Sequence, residues 1–242
     1  MKAVGFDQRI SIKHLDIAVK EISINPLKEI YKNLDNELSF DIKGEKSRKN
    51  AITMIMKIWY FVEPKYESLR NKYLKEYPTL LKKEKLLVHW CMTCLAYPFF
   101  KEQVNFLGKQ LRMADDVRSR IVLAAMKNLY GDRRRVEVAT GAVFSTIKNW
   151  NLVNTVSQGN YQLPNEKLEI HSPQLKQLMV EVLMDHLETN SVTIEMINNS
   201  AIFFPFDYHI GIGDIAEQKR FTIIKNIRDT IIERDPKTPY LL

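Results

Sequence analysis

This sequence predicts a mainly α protein: an N-terminal helical bundle, a winged helix-turn-helix with a small β-hairpin, and a C-terminal α/β extension. Three observations carry that expectation. Glycine (8) and proline (9) are scarce for 242 residues, which suits long helices better than a strand-and-turn architecture. Apolar residues recur at helical spacing through most of the chain. The period changes after Trp150, where short strand-like stretches flank the turn sequence Ser157-Gln158-Gly159-Asn160. The expected divisions are 1–98, 99–165 and 166–242. No Gly-rich or Ser-rich linker separates them, so they should pack against each other.

The first helix is expected from Ser11 to about Ile24, with Ile12, Leu15, Ile17, Ala18 and Ile22 at helical spacing. Asn25 as cap and Pro26 in the first turn open the second, through Leu27, Ile30, Tyr31 and Leu34. A break at 40–44 precedes Lys46, Arg48 and Lys49, a basic leading turn for the apolar helix of Ile52, Ile55, Met56, Trp59 and Tyr60. Such a run usually just faces water, although it could also meet an anion. Tyr66 to Leu74 follows, and then the apolar run from Thr79 to Ala96, expected as the bundle's central helix. Tyr97-Pro98 turns the chain into a helix with Val104, Leu107 and Leu111.

The most informative stretch is 115–163. A helix near Asp116 to Tyr130 carries Val117, Ile121, Ala124, Ala125 and Leu129 as its apolar stripe. Gly131 breaks it, Asp132 can cap the next helix, and that helix runs to about Trp150 behind Val136, Ala139 or Thr140, Val143, Ile147 and Trp150. Its first turn holds Arg133, Arg134 and Arg135. Cations there oppose the helix dipole, so an anion is expected nearby. Three consecutive helical residues point different ways, so at most two share a face, and one can pair with Glu137 or Asp132 instead. Backbone N–H groups at a helix start also greet phosphate. Ser145, Lys148 and Asn149 should line the exposed face further along. Leu152 to Val156 and Tyr161 to Leu163 read as strands, with Gln158, Asn160 and Tyr161 at the wing tip.

Beyond it, Ser172-Pro173 opens a helix through Leu175, Leu178, Met179, Val182 and Leu187, followed by a short helix around Ile194 to Asn198. Residues 201–215 look extended. In 221–232, Ile224, Ile227 and Ile231 fit a helix while the Thr and Ile content fits strands, and periodicity does not decide. No internal repeat is evident.

The net charge of +7 and pI near 9.2 favour polyanionic partners. Charged residues interrupt every long apolar stretch, so no membrane span is expected. Met1 to Gln8 lacks the apolar core of a signal peptide, and two cysteines make no disulfide framework, so the expected location is cytoplasmic. Cys91-Met92-Thr93-Cys94 falls inside an apolar helix without two further zinc ligands, so core cysteines are expected. The five histidines are scattered, and Gly211-Ile212-Gly213-Asp214 lacks a third glycine and a Walker lysine. Asp115 and Asp116 at a helix start serve as cap and dipole partners. With no GxSxG, kinase set or dinucleotide fingerprint, the expectation is a non-enzymatic protein with no cofactor and no metal.

Several blocks together resemble a known family. Lys46-Ser47-Arg48-Lys49-Asn50, the long apolar helix and Tyr97-Pro98, the basic helix from Arg133 running to Val153, Ser172-Pro173-Gln174-Leu175 and Phe204 to Phe206 follow an order similar to BrxA, an accessory protein of the BREX bacteriophage-defence systems. The spacing between blocks departs from that pattern. The resemblance implies a helical, non-enzymatic, DNA-associated component of a multi-protein defence complex. It also implies a bundle like that of the antitermination factor NusB, an RNA-binding protein.

Three expectations stand. The first is double-stranded DNA binding through Arg133, Arg134, Arg135, Ser145, Lys148, Asn149, Gln158 and Asn160, with weak base preference. The second is a protein-assembly subunit that reuses the winged helix as an interface. The third is RNA binding through Lys46, Arg48 and Lys49.

Overall fold

The computed structural model describes residues 2–215, 220–227, 229–235 and 238. It is mainly helical with small sheets. The bundle consists of α1 (Ile12–Ile24), α2 (Leu27–Ser39), α3 (Glu45–Trp59), α4 (Glu67–Glu76) and α5 (Lys82–Ala96). The Ser11 hydroxyl accepts the His14 backbone N–H and so starts α1. Pro26 rather than Asn25 is the N-cap of α2; Asn25 closes α1, and its amide donates to Glu21. Every residue of α5 from Leu87 to Leu95 is buried, which is why this helix has no polar face. At its centre the Trp90 ring meets Phe100, Trp150, Phe204 and Phe206 at centroid distances of 5.3, 6.4, 5.8 and 5.7 Å. Residues far apart in sequence therefore share one core.

Next come α6 (Pro98–Leu111), β1 (Asp116–Arg118), α7 (Ser119–Tyr130), α8 (Arg134–Asn149), β2 (Asn154–Ser157) and β3 (Asn160–Gln162). The three strands form an antiparallel sheet in the order β1-β3-β2. Gly159, at φ +72°, sits in the two-residue turn of the hairpin, as its sequence predicts. Four details correct the sequence reading. Asp116 does not open a helix: it pairs with Gln162, and Val117 points into the core from β1. The buried face of α7 is Val122, Met126 and Tyr130, while Ile121, Ala124 and Leu129 are exposed. Both sets have helical spacing, and the pairing of β1 decides which one turns inward. Asp132 caps nothing. Arg133 is the N-cap of α8, without a side-chain bond, and Asp132 pairs with Lys127 at 2.8 Å. Leu152 and Val153 are buried in the turn before β2 rather than within a strand.

The remainder contains β4 (Leu168–Glu169), α9 (Pro173–His186), β5 (Ser191–Thr193), α10 (Ile194–Asn198), β6 (Phe206–Asp207), β7 (Phe221–Lys225) and β8 (Thr230–Arg234). β4 pairs with β6 in parallel, and a second antiparallel sheet has the order β5-β8-β7. Residues 201–215 are not extended throughout: 3-10 turns occupy Ala201–Phe203 and Ile212–Asp214, with β6 between them. The undecided 221–232 segment is a hairpin in which Ile224 pairs with Ile231 and Ile227 lies in the loop.

A repeat that the sequence hides is plain in the backbone. α6 and α9 are both 14 residues long with proline at N1, and each is followed by a three-residue strand that runs directly into a helix. Pro173, Ser191 and Ile194 follow Pro98, Asp116 and Ser119 by 75 residues each. Val117 and Val192 are the buried residues of the two short strands, and in both sheets the first strand pairs with the last. The copies then diverge. Where the first has α8, the second has the turn at 201–203, packed against α6.

That packing is close. A Cβ added to Gly108 in α6 would lie 2.1 Å from the Ala201 carbonyl oxygen and 3.0 Å from the Phe204 Cβ. Helix propensity alone favours alanine over glycine by about 1 kcal/mol. Overpacking should reverse the sign, so Gly108→Ala is expected to destabilise by about 1–3 kcal/mol in urea unfolding. A stabilised variant would mean that this contact is loose. Among the described residues, no helix is long and apolar enough to cross a membrane.

Candidate nucleic-acid interface

α8 spans 16 residues, about 24 Å, and buries Val136, Ala139, Thr140, Val143, Phe144 and Ile147 against the core. Its opposite face exposes Arg134, Val138, Gly141, Ser145 and Lys148, spaced three or four residues apart, with Asn149 exposed next to Lys148. Gly141 has nothing within 4 Å of where a Cβ would be, so packing inside the chain does not call for a glycine there. Glycine in mid-helix is unfavourable by about 1 kcal/mol. What it provides is a flat spot where another molecule can come close.

The three arginines of the leading turn have different fates. Arg133 folds back, and its Nη2 donates to the carbonyls of Tyr130 (2.9 Å) and Lys2 (3.1 Å). Arg135 makes a two-pronged pair with Asp7: Nε to Oδ1 at 3.1 Å and Nη2 to Oδ2 at 2.7 Å. Arg134 projects outward with no ion pair among the described residues. The acids expected to compete for the arginines, Asp132 and Glu137, both go to Lys127.

The β2–β3 hairpin lies beside the start of α7, where the Ser119 N–H donates to the Gly159 carbonyl at 2.7 Å. Gln158 is exposed at the turn. Asn160 is half-buried, and its Oδ1 has no hydrogen-bond partner among the described residues. Tyr161, expected at the tip, stacks on Phe144 at 4.2 Å with a 14° interplanar angle, which fastens the hairpin to α8. Sequence reasoning missed Arg118 and Arg120, both exposed and both without an ion pair among the described residues. Arg118 pairs with Asn160 across the sheet, so these cations flank the hairpin; Asp116 sits at the other end of β1. The Arg-Ser-Arg spacing was there to be read, but it lay inside a supposed helix.

The bundle's basic turn is largely satisfied internally. Arg48 grips Asp35 (2.6 and 3.3 Å) and the Ile42 carbonyl (3.2 Å), which fastens α3 to α2. Lys49 pairs with Glu45 at 2.6 Å one turn away, and Lys46 is exposed.

Two polar clusters lie elsewhere. In the first, Trp59 Nε1 donates to His89 Nδ1 at 3.1 Å, which leaves His89 Nε2–H to donate to Asp16 at 3.0 Å; the Tyr77 hydroxyl also donates to Asp16. In the second, Asp185 accepts from Lys101 (2.5 Å), Lys65 (3.0 Å) and the Tyr66 hydroxyl on the wall of a cleft of about 710 Å³. Cys91 and Cys94 are buried, and burial pushes both thiols well above their ordinary range. Among the described residues, no group of three or more His, Cys, Asp or Glu side chains could hold a metal.

Burial lowers the pKa of His14, His89 and His186 below the ordinary value. Below about pH 6.5 the unfolded chain therefore takes up protons more readily than the folded chain, and stability falls as pH falls there. The urea midpoint is expected to drop between about pH 7.5 and about pH 5, before the carboxylates titrate. A flat midpoint over that window would contradict the neutral burial of these rings.

The chain matches no family model, no curated protein and no solved structure.

Proposed function

We propose that α6, β1, α7, α8 and the β2–β3 hairpin act as a winged helix-turn-helix that binds double-stranded DNA, with α8 against the major groove and the hairpin against the neighbouring backbone. The order of elements supports this reading. The observation that carries it is the outward face of α8, with Arg134, Gly141, Ser145, Lys148 and Asn149 free of acidic partners among the described residues, together with Arg118 and Arg120 by the hairpin. Affinity in this reading is borne largely by phosphate contacts and is non-enzymatic. Membership of a BREX-type bacterial defence complex, in the cytoplasm, rests on the sequence resemblance alone.

The test is a fluorescence-anisotropy titration of a random-sequence duplex over a range of salt. The double variant Arg134→Ala with Lys148→Ala should bind all duplexes more weakly, with a log–log salt slope shallower by about 2 units. Unchanged affinity and slope in a folded variant would remove α8 from the interface.

One observation favours a second reading, a protein-assembly surface. Ile121 and Leu129 are 43% and 45% exposed along α7, with Ala124 between them, and Val138 on α8 is 46% exposed. A partner subunit covering that edge would be lost on Ile121→Ser with Leu129→Ser while DNA binding persisted.

A further inference from the structure

We propose that the N-terminal strap, residues 2–10, is built to hold a carboxylate where a DNA phosphate would otherwise sit, so that Asp7 competes internally for Arg135. This rests on the proposed DNA-binding reading and adds to it a device that sets affinity.

The strap is not a loose tail. The Phe6 ring is fully buried against Tyr97 (5.2 Å, edge-on) and Phe100 (5.3 Å). Ile10, also fully buried, donates its N–H to Thr146 Oγ1 (3.2 Å) and accepts from Trp150 Nε1 (2.9 Å). Those last two bonds attach the strap to the far end of α8, while Lys2 supplies a carbonyl to Arg133 near its start. Asp7 is the residue directly after the Phe6 anchor, so its carboxylate is presented to the first turn of α8 by a segment pinned on both sides.

The pair has the geometry of recognition. A guanidinium meeting two carboxylate oxygens through parallel N–H donors is the arrangement with which arginine also grips phosphate. Yet the pair is open to solvent, with side-chain exposures of 59% for Arg135 and 35% for Asp7. Exposed pairs contribute little to stability, so the pairing adds little to what holds the strap down; Phe6 and Ile10 already do that. What the carboxylate does is cancel a charge on the leading turn. With Arg133 spent on two carbonyls and Arg135 spent on Asp7, Arg134 alone of the three faces a polyanion in the resting protein. A DNA phosphate can displace Asp7 by rotating two exposed side chains, without unseating the strap.

The experiment measures duplex affinity and its salt dependence for the wild-type chain, Asp7→Asn, and Asp7→Asn with Arg135→Ala, each checked for fold by circular dichroism. Freeing Arg135 should tighten Asp7→Asn by about 3- to 10-fold at low salt and steepen the log–log slope by about 0.9, one added phosphate contact. The double variant should lose that gain. If the wild type binds but Asp7→Asn binds no tighter, the inference fails and the DNA-binding reading stands. A gain that survives in the double variant also overturns it, because simple loss of a negative charge then suffices. If none of the three binds duplex DNA, both fall together.

Discussion

Replacing Lys101 with methionine is expected to destabilise the protein by about 3–5 kcal/mol, because it strands a buried carboxylate. Lys101 and Asp185 have side-chain exposures of 10% and 11%, and their 2.5 Å contact joins α6 to α9, the matching helices of the two repeated units. Burial alone pushes the Asp185 carboxyl upward, but hydrogen bonds from Lys101 and Tyr66 outweigh it and hold the group below its ordinary value. Its contribution is therefore present above the ordinary carboxylate range and lost as pH falls through the folded value. Without Lys101, Tyr66 and the more exposed Lys65 remain as donors, so the acid limb of the stability curve should move to higher pH. Pairing the change with Asp185→Asn removes the stranded charge and keeps an acceptor for Tyr66, so that double variant should lose less than Lys101→Met alone. Urea unfolding of the three proteins from about pH 7 to about pH 3 measures both effects. A single variant as stable as the parent would show that the pair is solvated in solution.

The sequence revealed elements whose character is set locally and concealed those set by distant partners. α8 was legible because Val136, Ala139, Val143, Ile147 and Trp150 make one apolar stripe, and all five are buried. The hairpin turn was legible because Gly159 takes the positive φ that its position requires. β1 was not, since Asp-Val-Arg is a strand only by pairing with β3 more than 40 residues later. The buried face of α7 is hidden with it, because Ile121, Ala124 and Leu129 are as well spaced as Val122, Met126 and Tyr130. In 221–232 the seven-residue interval between Ile224 and Ile231 fits two helical turns equally well, and only their pairing across the hairpin resolves it. For the candidate interface, the triple arginine is visible in the sequence but its division of labour is not: Asp7 lies 128 positions from Arg135, and Lys2 lies 131 from Arg133. The repeat is hidden in the sequence because it keeps lengths and strand order while retaining few residues in common.

Trp90 is where these parts meet, and its loss tests whether they unfold as one. The ring has no solvent exposure and touches α6, the end of α8 and the 204–206 segment at once. Trp90→Ala should therefore leave a cavity bordered by aromatic rings that cannot easily close in, with a loss of about 3–5 kcal/mol. Trp90→Phe is a sharper probe. The indole N–H has no hydrogen-bond partner among the described residues, and such a donor is unfavourable by about 1–3 kcal/mol when shut away from water. Phenylalanine removes that donor along with part of the ring, so the two effects oppose each other and the net change should be well below that of alanine. Both variants keep Trp59 in the bundle and Trp150 at the end of α8 as fluorescent reporters. If one core serves the whole chain, fluorescence and far-ultraviolet circular dichroism should trace a single coincident transition, shifted most in Trp90→Ala. Transitions that separate in the alanine variant would mean that α5 only abuts the unit formed by α6, β1, α7, α8 and the β2–β3 hairpin.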